Sequence, residues 1–186
     1  MHERGYKVVL TGEGSDEWLA GYPWHKIHKM TRFMDLLPGM PLSHKLRDAA
    51  MILGGGPRYP ESQRASIRAS VGGHNGWLDF YGIVGLSKLR LFSPDLLELA
   101  LDHNPYQDLE LPTAKMNTYH PLNRELYLSG RAHLVGLLLN AKGDRIAMHN
   151  SVEARYPFLD EKVFRFLADI HPIFNEPPTT EKYLLR

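Results

Sequence analysis

The chain has 186 residues, of which 43% are hydrophobic and 23% charged. This is a globular composition, and it excludes a disordered or low-complexity chain. With 22 Lys and Arg against 21 Asp and Glu, the net charge is +1, so neither nucleic acid nor an anionic membrane is indicated as a partner. The absence of Cys excludes a disulfide scaffold and a thiolate metal site. No stretch approaches the roughly 18 apolar residues of a membrane span, and Val8-Val9-Leu10 is too short for the apolar core of a signal peptide. A cytoplasmic protein is expected.

Lys7-Val8-Val9-Leu10-Thr11 predicts one short buried strand, ended by the glycine loop Gly12-Glu13-Gly14. Ser15 or Asp16 is placed to cap a helix expected over residues 17–30. No second convincing strand follows, and a single strand cannot satisfy its own backbone groups. The chain therefore reads as a piece of something larger.

Residues 38–76 are rich in Gly and Pro, a loop region with short helices expected over 42–53 and 60–70. Residues 77–91 carry apolar side chains at helical spacing. Ser93-Pro94-Asp95 is a helix start, with a capping Ser, Pro at the first position and then an acid; its helix is expected to reach Asp102. Residues 121–140 form the longest helical candidate. Asp160 is placed to cap a helix through Val163, Phe164, Phe166, Leu167 and Ile170, stopped by Pro172. Residues 180–186 begin another. There is no internal repeat.

Two constellations carry chemistry. The first is Thr11-Gly12-Glu13-Gly14-Ser15-Asp16-Glu17, between the strand and the first helix. Backbone N–H groups after a glycine turn bind phosphate. The three acids of the same turn would repel a bare phosphate, so a phosphate site here calls for a divalent cation, and carboxylate plus substrate phosphate is how Mg²⁺ is usually held. A plain glycine turn with acids complementing a helix start is the other reading. The spacing is neither a Walker A loop nor a dinucleotide fingerprint, because Glu17 stands where the third Gly would be.

The second constellation runs Lys142-Gly143-Asp144-Arg145, then Met148, Ser151, Glu153, Arg155 and Pro157-Phe158-Leu159-Asp160. Its ionisable side chains lie between apolar segments, where an unpaired buried charge costs several kcal/mol. Asp144, Arg145, Glu153 and Arg155 are therefore expected to form at least one buried or half-buried ion pair, or to face a polar cleft. The ten His show no metal-ligand spacing; His25 and His28 are the nearest pair.

The first constellation, closing with Ala20-Gly21-Tyr22, resembles the second nucleotide-site motif of glutamine-dependent asparagine synthetases, Ser-Gly-Glu-Gly-Ser/Ala-Asp-Glu followed by Gly-Gly-Tyr. Residues 142–160 resemble that family's later signature, Lys-x-Asp-Arg-x-x-Met-x-x-Ser-x-Glu-x-Arg-x-Pro-Phe-Leu-Asp, and fill every fixed position of it. Pro121-Leu122-Asn123-Arg124-Glu125-Leu126-Tyr127-Leu128 is similar to the helix before the signature. Residues 30–115 add little.

The resemblance implies an α/β nucleotide-binding synthetase domain of the adenine nucleotide alpha hydrolase type, here a mostly α-helical part with one N-terminal strand. It implies that residues 1–186 are the C-terminal portion of that domain, with about half of its active site. The family's amidohydrolase domain, which begins with a Cys, its Ser-Gly-Gly-x-Asp-Ser pyrophosphate loop and its late catalytic Lys in a Lys-Glu-x-Phe segment are not in these residues. Lys182, in a stretch resembling the family's Glu-Lys-x-Leu-Leu-Arg helix, is not that catalytic Lys.

The implied chemistry is ATP-dependent amide formation: aspartate is activated as an aspartyl-adenylate, and ammonia from glutamine attacks it. ATP and Mg²⁺ are the implied cofactors. Residue by residue, Thr11 and Gly12 take the place of the Ser-Gly whose backbone contacts the nucleotide, with Gly14 in the same loop. Glu13 matches the acid acting in adenylate formation and in handling the amine's proton. Asp16 matches a carboxylate associated with Mg²⁺–pyrophosphate. Asp144 and Arg145 match polar positions near the substrate cleft and are expected, with Thr11, Gly12 and Gly14, among the cofactor-binding residues; Glu153 and Arg155 hold the architecture, and Trp18 is expected to pack. A β-lactam-forming synthetase is the enzyme alternative, and a non-catalytic interaction module the alternative of another class.

Overall fold

In a computed structural model, the structure describes residues 2–26, 45–46, 49, 53, 61–73, 75–78, 81, 88–175 and 182–185. In chain order the elements are β1 (Val8–Leu10), α1 (Ser15–Trp18), α2 (Glu61–Ser70), α3 (Pro94–Asp102), α4 (Thr113–Met116), α5 (Pro121–Leu128), a π-helical run (Ser129–Asp144), α6 (Arg145–His149), β2 (Glu153–Arg155) and α7 (Glu161–Ala168), with short 3-10 turns between them. The chain divides into two compact units, Met1–Tyr22 with Leu126–Arg186, and Pro23–Glu125.

The first unit is built on a two-stranded parallel sheet. β1 pairs with β2 in the register Val8 to Glu153, Val9 to Ala154 and Leu10 to Arg155. The ladder extends past both ends of β1: Glu153 N–H donates to the Lys7 carbonyl at 2.7 Å, and Thr11 N–H to the Arg155 carbonyl at 2.9 Å. The expected single strand is therefore corrected to two. Glu153-Ala154-Arg155 has no β-branched or aromatic residue, so its strand conformation comes from pairing and not from its own propensity. The expected burial of the first strand is corrected as well, since Val8 is 41% and Leu10 69% exposed.

The helix expected over residues 17–30 is cut to four residues, Ser15–Trp18. Ala20 adopts a left-handed backbone with φ of 52°, and a 3-10 turn follows at Pro23–Lys26; residues 27–30 lie outside the described residues. The candidate at 121–140 is longer than expected. Helical backbone runs unbroken from Pro121 through the π-helical run to His149. π-Helices are rare and commonly a single turn, so a run of 16 residues is a distinctive feature of this unit.

Asp160 caps α7 as expected, its Oδ1 accepting Lys162 N–H at 2.9 Å and Val163 N–H at 3.4 Å. Trp18 packs edge-on against Phe164 of α7, ring centroids 4.9 Å apart, and closely over Gly130, where a Cβ would lie 2.8 Å from the Trp18 ring.

In the second unit α2 matches the helix expected at 60–70, and α3 begins at the expected cap, with Ser93 Oγ accepting Leu96 N–H at 3.4 Å. Buried Asn104 ties the end of α3 to α2, its Nδ2 donating to Ser66 Oγ at 2.9 Å and Ser70 Oγ at 3.0 Å. Trp24, Trp77, Tyr81 and Tyr106 form an aromatic cluster, with Trp77 stacked on Tyr81 at 4.9 Å. α4 has no counterpart in the sequence reading. The helices expected at 42–53 and 77–91 fall largely outside the described residues; the described positions 45, 46, 49, 53, 76–78, 81 and 88 are helical, and 89–91 form a 3-10 turn. Of the helix expected at 180–186, Tyr183–Leu185 is a 3-10 turn.

Candidate active site at the carboxyl edge of the sheet

Because β1 and β2 are parallel, both strands deliver their following residues to the same edge. β1 leads into Thr11, Gly12 and Glu13, and β2 into Tyr156. Continuing the register by one step puts Thr11 beside Tyr156. In parallel α/β sheets the carboxyl ends of the strands are where ligands bind, and the two motifs, some 130 residues apart in sequence, converge there.

The glycine loop is held from behind by Glu17. Gly14 sits at φ of +92°, a conformation that favours glycine, and its N–H donates to Glu17 Oε2 at 3.1 Å. Tyr22 O–H donates to Glu17 Oε1 at 2.7 Å. His133, on the π-helical run, places Nδ1 3.8 Å from the same oxygen, and its ring meets Tyr22 edge-on at 5.4 Å. Burial pushes the Glu17 carboxyl up, against the Tyr22 hydrogen bond, and the neighbouring Asp16 and Glu13 charges add to the rise. Burial also raises the Tyr22 phenol, helped by its bond to Glu17. Burial lowers His133, with Lys142 adding repulsion, so the imidazole is neutral near pH 7.

Glu13 is half-buried on the outer side of this loop. The Thr11 hydroxyl oxygen is buried with no hydrogen-bond partner. Gly12 is exposed, and a Cβ there would meet nothing nearer than Ser15 Oγ at 3.9 Å. An orphaned hydroxyl beside open loop backbone fits a nucleotide contact at Thr11 and Gly12.

Asp16 has a different neighbour from the one expected. Lys182 Nζ lies 2.8 Å from Asp16 Oδ1 and donates to Ser15 Oγ at 3.0 Å, so an ammonium stands where Mg²⁺ was expected. Among the described residues no group of three or more His, Asp or Glu is placed to hold a metal ion. A Mg²⁺ ion at Asp16 would therefore need the oxygens of a substrate phosphate beside this carboxylate.

On the β2 side, Tyr156 O–H donates to Asp144 Oδ1 at 2.7 Å. Burial, the hydrogen bond to Asp144 and the charges of Asp144 and Glu13 push the phenol up to about 12. Arg145 follows Asp144, exposed and in no ion pair among the described residues.

The expected buried ion pair is corrected. Arg155 Nε meets Glu153 Oε1 at 2.7 Å, but the two side chains are 60% and 53% exposed. Alternation along β2 turns both to the same solvent-facing side, where water and salt screen the pair.

The sequence reading gave no role to Glu17, Tyr22, His133, Tyr156 or the Lys182 contact. Glu17 and Tyr22 stood within the quoted motif, so their type was visible and their partnership was not. His133 and Tyr156 carry no local signal of their own.

A family model described as asparagine synthase matches residues 1–186. The chain belongs to the asparagine synthase family. It is 31% identical over 182 residues to a putative glutamine-hydrolysing asparagine synthetase of Mycobacterium tuberculosis, covering 97% of this chain and 26% of that protein. It is 28% identical over 184 residues to glutamine-hydrolysing asparagine synthetase 1 of Bacillus subtilis, covering 96% of this chain and 27% of that protein. It is also 28% identical over 213 residues to amidase chyE of Penicillium rubens, covering all of this chain and 30% of that protein. The chain thus spans between a quarter and a third of the length of these relatives. No solved structure matches it significantly. Among the described residues no helix is long and apolar enough to cross a membrane.

Proposed function

We propose that the chain is part of an ATP-dependent amide-forming ligase that makes asparagine from aspartate through an aspartyl-adenylate. The observation that carries this reading is the convergence of Thr11-Gly12-Glu13 and of Asp144-Tyr156 at one sheet edge, in a chain of the asparagine synthase family. Thr11 and Gly12 receive the nucleotide, through the unpartnered hydroxyl and the open loop backbone. The aspartate side-chain carboxylate attacks the α-phosphorus of ATP, and the bond from that phosphorus to the departing pyrophosphate breaks. Ammonia then attacks the activated carbonyl carbon, and AMP leaves.

The attacking nitrogen passes through an ammonium-like stage and must lose a proton, which Glu13 is placed to accept. Glu17 keeps Glu13 in position by fixing the Gly14 turn behind it. Lys182, held by Asp16 and Ser15, is the cation beside the loop. Asp16 would help to hold Mg²⁺ together with the substrate's phosphates, where the ion would offset the charge of the departing pyrophosphate.

The amidohydrolase that supplies ammonia and the rest of the synthetase domain belong to a larger polypeptide, and the chain on its own is expected to be catalytically silent. Aspartate-dependent pyrophosphate release by the purified chain above a no-protein blank would sink that expectation. In the complete enzyme, Glu13→Gln should bind ATP as before and lose about 10²–10⁴-fold in turnover, the worth of a positioned acid–base group. Turnover within about twofold of the parent, far short of that loss, would make Glu13 a structural residue and remove it from the chemistry.

A further inference from the structure

Tyr156 occupies the one open position between Arg155 and Pro157 in the signature, so the tyrosine is a choice of this chain. It is the first residue after β2, beside Thr11 at the edge where the glycine loop begins. Its hydroxyl is committed as a donor to Asp144 Oδ1 at 2.7 Å. The helical backbone makes room for this contact at Gly143, where a Cβ would lie 2.7 Å from the Tyr156 hydroxyl and 3.0 Å from the Leu138 carbonyl. No other residue type fits at 143 without moving one of them. The contact is therefore built into both elements, and it fixes the direction of the Asp144 carboxylate.

With its proton given to Asp144, the phenol oxygen presents only lone pairs, and Asp144 keeps its second carboxylate oxygen. Both remaining functions are acceptors. Thr11, which leads into Glu13, lies one register step beside Tyr156. Such a surface repels phosphate and free carboxylate. It suits a primary ammonium group, which has three donors and a positive charge.

We infer that Tyr156 is a positioning residue that holds Asp144 to receive the ammonium group of an amino-acid substrate. This rests on the ligase reading for the identity of the reaction, and it assigns the end of the substrate that the reading leaves unassigned. The substrate's cationic end would lie against Tyr156 and Asp144, which leaves its reacting carboxylate free to reach the nucleotide.

The test compares L-aspartate with succinate, which has both carboxylates and no ammonium, by calorimetric titration of the complete enzyme that contains this chain, with ATP titrated separately. A hydrogen bond to a charged group is worth about 1.5–3 kcal/mol, or roughly tenfold and more in affinity. The enzyme should prefer L-aspartate to succinate by about that factor. Tyr156→Phe keeps the ring and should reduce the preference to within about twofold, and Asp144→Asn should do the same, because each removes an acceptor from the ammonium. ATP affinity should be unchanged in Tyr156→Phe. Loss of packing alone would weaken both acids together and leave their ratio intact. An unchanged ratio in both variants overturns the proposal, and so does a parent enzyme with no preference for L-aspartate. Failure of the parent enzyme to bind ATP, with the acid ratio as expected, counts against the ligase reading and leaves the assignment of Tyr156 standing.

Discussion

Glu17→Gln probes the support of the glycine loop most directly. The side chain is 1% exposed, and its two oxygens serve different donors: Oε2 takes Gly14 N–H at 3.1 Å and Oε1 takes Tyr22 O–H at 2.7 Å. Glutamine fills nearly the same volume but has one acceptor oxygen, and its NH₂ cannot accept. One of two donors is left unpaired in a dry place, at a cost of about 1–3 kcal/mol. Removing a charge that burial disfavours offsets part of this, so the expected net loss is about 1–2 kcal/mol. Urea unfolding followed by tryptophan fluorescence measures it.

The pH dependence supplies a second check on the same pair of proteins. Burial raises the folded-state value of the Glu17 carboxyl above the ordinary 4.5, so the folded protein binds this proton more readily than the unfolded chain. Stability of the parent should therefore rise, relative to Glu17→Gln, as pH falls through the raised value towards 4.5. His133, lowered by burial, has the opposite effect below 6.5, since the unfolded imidazole takes its proton first; because it lies 3.8 Å from Glu17, the comparison is made with His133→Ala in both proteins, which removes it from the difference. If the gap between the two proteins narrows on acidification, the fold stabilises the ionised carboxylate and the account of Glu17 is wrong.

Gly130→Ala should cost about 1–3 kcal/mol by overpacking, because its Cβ would lie 2.8 Å from the Trp18 ring, itself set against Phe164; an unchanged unfolding midpoint would show that Trp18 turns aside at no cost. Lys182→Met should cost about 1 kcal/mol or less, since Lys182 and Asp16 are each about one-third exposed. A loss above about 3 kcal/mol, the scale of a broken buried pair, would contradict that exposure.

Local chemistry explains which elements were readable. α3 and α7 begin where Ser93 and Asp160 offer a capping oxygen, and the structure uses both. Val8-Val9-Leu10 is a strand because β-branched residues favour it and a glycine loop ends it. β2 escaped notice because Glu153-Ala154-Arg155 resembles any polar connection. Its conformation is decided by β1, which lies far away in sequence. The first helix stops early because Gly21 and Pro23 disfavour its continuation and Ala20 turns left-handed.

For the site, the residue types of both motifs were readable and their meeting was not, because it depends on the strand that the sequence hides. Once β2 is placed parallel to β1, Thr11 and Tyr156 must leave the sheet on the same side, and Asp144 follows through its bond to Tyr156. The same step explains why charges that looked destined for burial are not buried. Glu153 and Arg155 face water from one side of β2, while the residue that follows them turns to the ligand edge. The buried carboxylate of this unit is instead Glu17, which reads in the sequence as one more acid in a turn. Its burial is tolerable because Gly14, Tyr22 and His133 surround it, and those partners come from the loop, the turn after α1 and the π-helical run. Its two hydrogen bonds, to Gly14 and Tyr22, tie the loop that carries Glu13 to the turn after α1.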